Sequence, residues 1–334
     1  MPASNLVALR RVRAGDRSFA AGFMLRTRAR DTLPASAVKG GEVTLLESLG
    51  FAPAARVVVI HVDDVGLCSA ANQGWLRAST GAATCGSVMV PCSGFEELVE
   101  QTRGDHDADL GIHLTLNCEY EIDRWRPLRD DVPSLCAPDG GMWRTSAETI
   151  EHAATDEVER ELRAQIERAL EHGIDVTHID AHMGTVFHLR FVEIYLRLAR
   201  EFAVPMFLPR IERARLLALG MPDAIDRYVA LIQAAADEGF PTFDHFDTDS
   251  LHFPPGTGLE HNLARLRRLG PGLSYLITHC CEATDAFGGL SGGAQRAEEC
   301  DIYAAPAMQE FLAREDIQTT GMRPLRDWLR RRIG

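Results

Sequence analysis

Five residues in this chain carry the side chains of hydrolytic chemistry and fall inside or just after runs that read as buried strands: Asp63, Asp64, His113, His182 and His279. Adjacent carboxylates normally point to opposite sides of a strand, but at a strand end Asp63 and Asp64 can both turn into one cleft. One of them could then hold a metal ion while the other accepts a proton from water. His178, Asp180 and His182 alternate with a period of two, which places all three on one side of a strand. Two imidazoles with a carboxylate between them suit a metal site, the carboxylate orienting a neighbouring ligand. Asp64, His113 and His182 together make a histidine and carboxylate set that leaves positions open for water, as a hydrolytic ion requires. The set fits one divalent ion, Zn²⁺, Mn²⁺ or Co²⁺. Mg²⁺ more often takes oxygen ligands but remains among the candidates, since residue types alone do not choose.

The elements that must position these residues alternate strand and helix from about residue 43. Residues 57–60 are a continuous β-branched run, as in a buried parallel strand, and lead straight into Asp63 and Asp64. Ser69 can cap a helix that stops near Gly81. Further strands are expected at residues 87–90, 110–116, 176–181, 204–208, 242–246 and 273–278, with a last one at 317–320. His113 lies in the third, and the seventh delivers His279. Helices are expected at 94–102, 156–171, 188–201, 222–238, 259–269, 295–303, 306–314 and 323–332. In the second of these, Val158, Leu162, Ile166 and Leu170 recur every fourth residue as an apolar stripe. Residues 117–150 break the rhythm as a long loop, of the kind usually tied to function. Seven or eight such units imply an α/β fold, a single TIM-like (β/α) barrel with its active site at the C-terminal strand ends.

Composition bounds what this barrel can be. The 334 residues are 46% hydrophobic and 25% charged, enough to bury a core. A net charge of −13 argues against a nucleic-acid partner, and no apolar run reaches the length of a membrane-spanning helix. Residues 1–40 hold eight basic residues against two acidic ones. We read residues 1–42 as an extension, either loosely attached, a spurious start or a targeting segment, and residues 43–334 as one domain with an insertion at 117–150. The eight cysteines show no C-x-x-C spacing and read as free thiols of a reducing compartment, so a cytoplasmic location is expected unless the extension targets the chain elsewhere.

The motifs form an ordered set. Val59-Ile60-His61-Val62-Asp63-Asp64-Val65-Gly66-Leu67, with Ser69 and Asn72 following, is succeeded by Gly111-Ile112-His113-Leu114-Thr115-Leu116. Thr177-His178-Ile179-Asp180-Ala181-His182 comes next, then Thr278-His279-Cys280, and finally Arg296 with Glu299. This set, with Val132-Pro133-Ser134-Leu135 in the insertion, resembles the YdjC-like carbohydrate deacetylases of the ChbG/HpnK type across residues 43–326. The resemblance implies a TIM-barrel-like, metal-dependent enzyme that removes an acetyl group from an N-acetylated sugar. Carried over, Asp64, His113 and His182 match the metal ligands, Asp63 the catalytic base and His279 the general acid. Asp180, His178 and Arg296 would orient these groups from behind. Asn72, Trp125, Arg210 and His245 are read as substrate contacts, and Trp125, Arg126 and Trp143 either as ordinary packing of the loop or as a lid over a sugar ring. The expected partners are a small saccharide and a second copy of the chain. Two departures bear on specificity: a run of histidines is replaced by His182-Met183-Gly184-Thr185, and the residue after His279 is Cys280 rather than proline. Competing readings are another metal-dependent hydrolase on the same barrel, acting on a phosphoester or cyclic amide, and a non-catalytic sugar-binding module.

Overall fold

Strand β1 (Arg56–Val65) is buried from Val57 onward, as a strand covered on both faces must be. In this computed structural model, which describes residues 44–121, 124–210, 225–283 and 292–333, β1 serves three parallel partners. Strand β2 (Cys85–Val88) takes its C-terminal half, β6 (Gly272–Thr278) runs beside Arg56–Val62, and β7 (Ile317–Thr319) pairs with its first residues. Beyond β2 lie β3 (Leu110–Leu114) and β4 (Ile179–Ala181); beyond β6 lies β5 (His245–Asp247). All pairings are parallel, so the chain must cross back between strands. The helices are α1 (Leu45–Ser48), α2 (Ser69–Ser79), α3 (Phe95–Gln101), α4 (Ser146–His152), α5 (Thr155–Glu171), α6 (Val192–Phe202), α7 (Ile225–Asp237), α8 (Gly258–Arg268), α9 (Gly293–Ala304), α10 (Pro306–Arg314) and α11 (Met322–Ile333).

The result is an α/β fold with a curled parallel half-barrel of the described strands, consistent with a distorted (β/α) barrel. The strand expected at 204–208 shrinks to a parallel bridge between Met206 and Ile179, with Pro209 bridging Phe243. Pro205 and Pro209 bracket that segment, and a residue without an N–H cannot sustain a ladder. Two smaller expectations also shift. Ser69 is the first residue of α2 rather than its cap, which is Cys68. Leu170 is 45% exposed, and Ala169 takes the fourth place in the α5 stripe.

The insertion at 117–150 is ordered where described, with a short 3-10 turn (Pro133–Leu135) and α4 within it. Helix α5 pins it. The buried Glu161 carboxylate accepts from Leu128 N and Arg129 N at 3.0 and 3.1 Å, and Glu157 accepts from Ser134 N and Oγ at 2.7 Å each. Gln165 grips Thr115, just past β3, through both ends of its amide, so the exit of the strand that carries His113 is fixed from α5. The eight cysteines are free thiols, and no described helix is long and apolar enough to cross a membrane. Residues 1–42 lie outside the described residues.

Candidate active site

The site is assembled where the backbone departs from regular structure. Asp64 has φ 61° inside β1, and the pairing register with β2 shifts between Val62 and Val65. A bulge of this kind breaks the alternation of side chains, which is how Asp63 and Asp64 both come to face His113. Met183 (φ 52°) follows His182, and Leu251 (φ 64°) follows Ser250. Each such left-handed residue costs about 1–3 kcal/mol, and strain of this kind collects at functional sites. Helix α2 approaches so closely that a Cβ on Gly74 would stand 2.4 Å from Cys280 O. Glycine there lets helix α2 lie directly on the segment after β6 that carries His279 and Cys280.

Asp64 Oδ1 lies 3.4 Å from His113 Nε2 and 3.3 Å from His182 Nδ1. These three donor atoms all fall within 4.8 Å of one another. Each of the three is held from behind. His113 Nδ1 donates to Asp180 Oδ1 at 2.8 Å, and Ser87 Oγ bridges that imidazole and Asp180 Oδ2. His182 Nε2 faces Glu119 Oε2 at 2.9 Å, and Arg296 donates to Asp64 Oδ2 at 2.8 Å. Each histidine thus spends one nitrogen on a carboxylate and turns the other inward, as metal-bound histidines do. Asp63, Asp64, His113, Asp180 and His182 are all buried.

Beside this triad, Asp63 Oδ2 lies 3.9 Å from His279 Nε2 and 4.0 Å from His113 Nε2. Ser250 Oγ donates to Glu299 Oε2 at 2.7 Å and therefore accepts from His279 Nδ1 at 2.8 Å. Glu299 also accepts from the His279 backbone N–H and is paired with the fully buried Arg265. The neutral His279 tautomer this fixes leaves Nε2 as a proton acceptor facing Asp63.

Electrostatics divide these groups. Burial opposes charge on Asp64, but the Arg296 guanidinium and hydrogen bonds from His113 and His182 hold its carboxyl well below the usual range. Burial also opposes charge on the two histidines. Asp180 and Asp63 nevertheless push His113 well above its ordinary value, and Glu119 and Asp64 raise His182 to about 9. Burial lowers His279, assisted by Arg296 and opposed by Asp64. Two histidines that hold protons tightly among carboxylates mark a place that wants positive charge, and a divalent ion binding there displaces those protons. The donor set of two imidazoles and a carboxylate therefore fits a divalent transition-type cation.

The structure gathers Asp63, Asp64, His113, His178, Asp180, His182, His279 and Arg296 in this one region, and Trp125 meets His182 edge-on at 5.9 Å between ring centroids. Three expected substrate contacts are elsewhere. Asn72 is fully buried and ties the turn after β1, accepting from Gly66 N and donating to Gly94 O. His245 begins β5 rather than ending it. Its Nε2 bonds Pro271 O at 3.0 Å, and its partner in β6 is Ser274, five residues and roughly 15 Å of strand before His279. Arg210 sits on Thr242 and Asp244, the latter capping Leu273 N at the same early end of β6. Trp143 is engaged in packing within the loop region, stacking on His152 at 4.1 Å and donating to Ser134 O. Residue types alone missed His61, Ser87, Glu119 and Ser250. His61 has the period-two spacing to Asp63 that could have revealed it, whereas Glu119 and Ser250 come from loops whose course no spacing gives.

The chain matches the family model described as YdjC-like protein over residues 57–314. A protein of Thermus thermophilus named carbohydrate deacetylase is 33% identical over 270 residues, spanning 80% of this chain and 94% of that one. One of the same name from Brevibacillus brevis is 30% identical over 264 residues, spanning 78% and 96%. A crystal structure of a candidate cellobiose-phosphate cleavage protein from Enterococcus faecalis V583 superposes with a TM-score of 0.66 at 22% identity, covering 81% of this chain and 99% of that one. That likeness carries the fold.

Proposed function

The chain belongs to the YdjC-like family, and from that premise we propose that it is a metal-dependent hydrolase that removes the acetyl group from an N-acetylated sugar. The observation that carries the reading is the convergence of Asp64 Oδ1, His113 Nε2 and His182 Nδ1 within 4.8 Å, beside a base and acid pair made by Asp63 and His279. Asp64, His113 and His182 would hold one divalent cation. When bound, such an ion supplies Lewis acidity, making water easier to deprotonate and polarising the acetamide carbonyl. Metal dependence, the sugar and closure of the sheet into a full barrel all belong to this proposal.

The chain's own residues do the rest. Asp63 Oδ2 takes the proton from the attacking water. The C–N bond breaks as nitrogen gains a proton, so a group facing the leaving amine must deliver one. His279 suits this role because its Nδ1–H is committed to Ser250 while Nε2 stands 3.9 Å from Asp63 Oδ2. The proton accepted at Asp63 can pass to His279 Nε2 and on to the amine. Burial keeps His279 neutral in the resting site, ready to receive it. Trp125 against His182 and the apolar cluster of Leu67, Met89 and Met142 around it exclude water from that side.

Acetate release from a panel of N-acetylated mono- and disaccharides tests the reading, run after chelation and again with Zn²⁺, Mn²⁺, Co²⁺ or Mg²⁺. Release should need a cation, and Asp63→Asn should keep the cation while losing about 10²–10⁴-fold in kcat. Release that persists undiminished after chelation, or full activity in Asp63→Asn, contradicts it.

A further inference from the structure

A line of buried side chains leads from Asp63 into the interior of the sheet, and no step of the reaction above uses it. His61 precedes Asp63 by two residues on β1. Its Nδ1 lies 2.7 Å from Asp63 Oδ1, and its Nε2 lies 2.8 Å from His178 Nε2. His178 Nδ1 is in turn 2.9 Å from Thr177 Oγ1. His61, His178 and Thr177 are fully buried. The His61 ring stacks on Tyr275 with centroids 4.9 Å apart and planes at 28°. Room for the His178 ring comes from Gly111, where a Cβ would meet His178 Nδ1 at 2.5 Å.

We propose that His61 is a positioning residue for Asp63: its Nδ1–H holds Oδ1 and thereby commits Oδ2 to the reacting water, while His178 seats the other side of the imidazole. The inference rests on the reading of Asp63 as the base. Its ground is the division of labour between the two carboxylate oxygens. Oδ1 is bonded to His61, and Oδ2 is turned toward His279 and His113. An ionised carboxylate only accepts, so the hydrogen of the 2.7 Å contact belongs to His61 Nδ1, and such charge-assisted bonds are among the stronger ones. The terminal torsion of an aspartate is otherwise broad, and an untied Asp63 could turn either oxygen, or neither, to the water. Seating matters at this scale, since a displacement near 1 Å at a reacting group can cost about 10²-fold in rate.

Three substitutions separate this role from simple filling of space. An asparagine amide nitrogen falls near the position of histidine Nδ1, and a glutamine amide nitrogen near Nε2. His61→Asn therefore keeps the donor to Asp63 and gives up the contact with His178; His61→Gln does the reverse; His61→Phe keeps the ring on Tyr275 and has no donor. With wild type measured alongside, His61→Gln and His61→Phe should lose about 10²-fold in kcat with KM little changed and bound metal unchanged. His61→Asn should lose only a few-fold. Crystal structures give a readout independent of turnover: the Asp63 carboxylate should rotate away from His279 in His61→Phe and stay in place in His61→Asn. Equal kcat in wild type, His61→Gln and His61→Phe, or an unmoved carboxylate in His61→Phe, overturns the proposal. Should wild type itself release no acetate, the functional reading fails, while the carboxylate orientation still decides the role of His61.

Discussion

Two buried clusters of charge are built on opposite plans, and Glu299, a member of the first, also holds His279 beside the second. In one, fully buried Arg265 is wrapped by Asp247, Glu299, Asn262 and the carbonyl of Ile277. Its donors and acceptors answer one another, and the cation belongs to the chain. In the other, Asp64, His113 and His182 turn donor atoms toward a shared point, with Asp180, Glu119 and Arg296 braced behind them. Burial and charge are common to both. The difference is that the first encloses a cation of the chain itself, while the second converges two histidines and a carboxylate on one point, where under the proposed function a divalent ion would displace the protons the histidines hold. Geometry of the lone pairs, more than the presence of buried charge, separates a site from a structural brace.

Substitutions should break the two clusters in different ways. The largest effect is expected from Asp64→Asn, which removes one proposed ligand and its charge: bound metal should be lost and kcat/KM should fall by at least about 10³-fold, and the metal-free protein should also lose urea stability because buried Arg296 loses its partner charge. Metal analysis and acetate release check both halves. Arg265→Ala should act on the fold alone. Removing the buried guanidinium shared by Asp247 and Glu299, which leaves Asp247 only the partly exposed Arg268 as a charged partner, should cost about 3–5 kcal/mol of stability by urea unfolding, with metal content per folded molecule retained.

Acid and base should sharpen the same contrast with a smaller effect. Burial opposes charge on Asp247, but Arg265 and Arg268 hold its carboxyl below the ordinary value. Its contribution is therefore present above pH ~4 and lost as pH falls through the lower folded value. His182 is shifted the other way, raised to about 9. In the metal-free protein its contribution is complete below pH ~6.5 and lost as pH rises through about 9. Over that same alkaline range metal affinity should increase, because fewer protons compete. Thermal melts of metal-free and metal-loaded protein from pH 3 to 10 should show the metal-free form losing stability at both ends and the loaded form protected at the alkaline one.

Much of this was legible in the residues, and the misses have identifiable causes. The run through Val57–Ile60 and the amphipathic stripe of α5 announced a parallel α/β sheet, because burial on both faces of a strand and on one face of a helix leaves plain periodicities. The site could be read because Asp63, Asp64, His113, His182 and His279 each lie near or just past the C-terminal end of a strand. The rule failed at His245, which lies near the end of the strand expected at 242–246 but begins β5. It failed at Asn72 because a short amide near a turn serves backbone groups as readily as a ligand. The strand at 204–208 was lost to its two prolines. What periodicity could not express was the bulge at Asp64, which needs a positive φ at an aspartate, and the arrival of Glu119 and Ser250 from loops.

The most direct measurement is anomalous diffraction from crystals of the full chain loaded with Zn²⁺, Mn²⁺ or Co²⁺. One peak should appear, bonded to Asp64, His113 and His182. The other groupings within reach of an ion, His61 with Cys85 and His178, and His61 with Asp63 and Asp180, should stay empty. A peak at either of those, or a metal-loaded active protein with no density between Asp64, His113 and His182, would contradict the central claim.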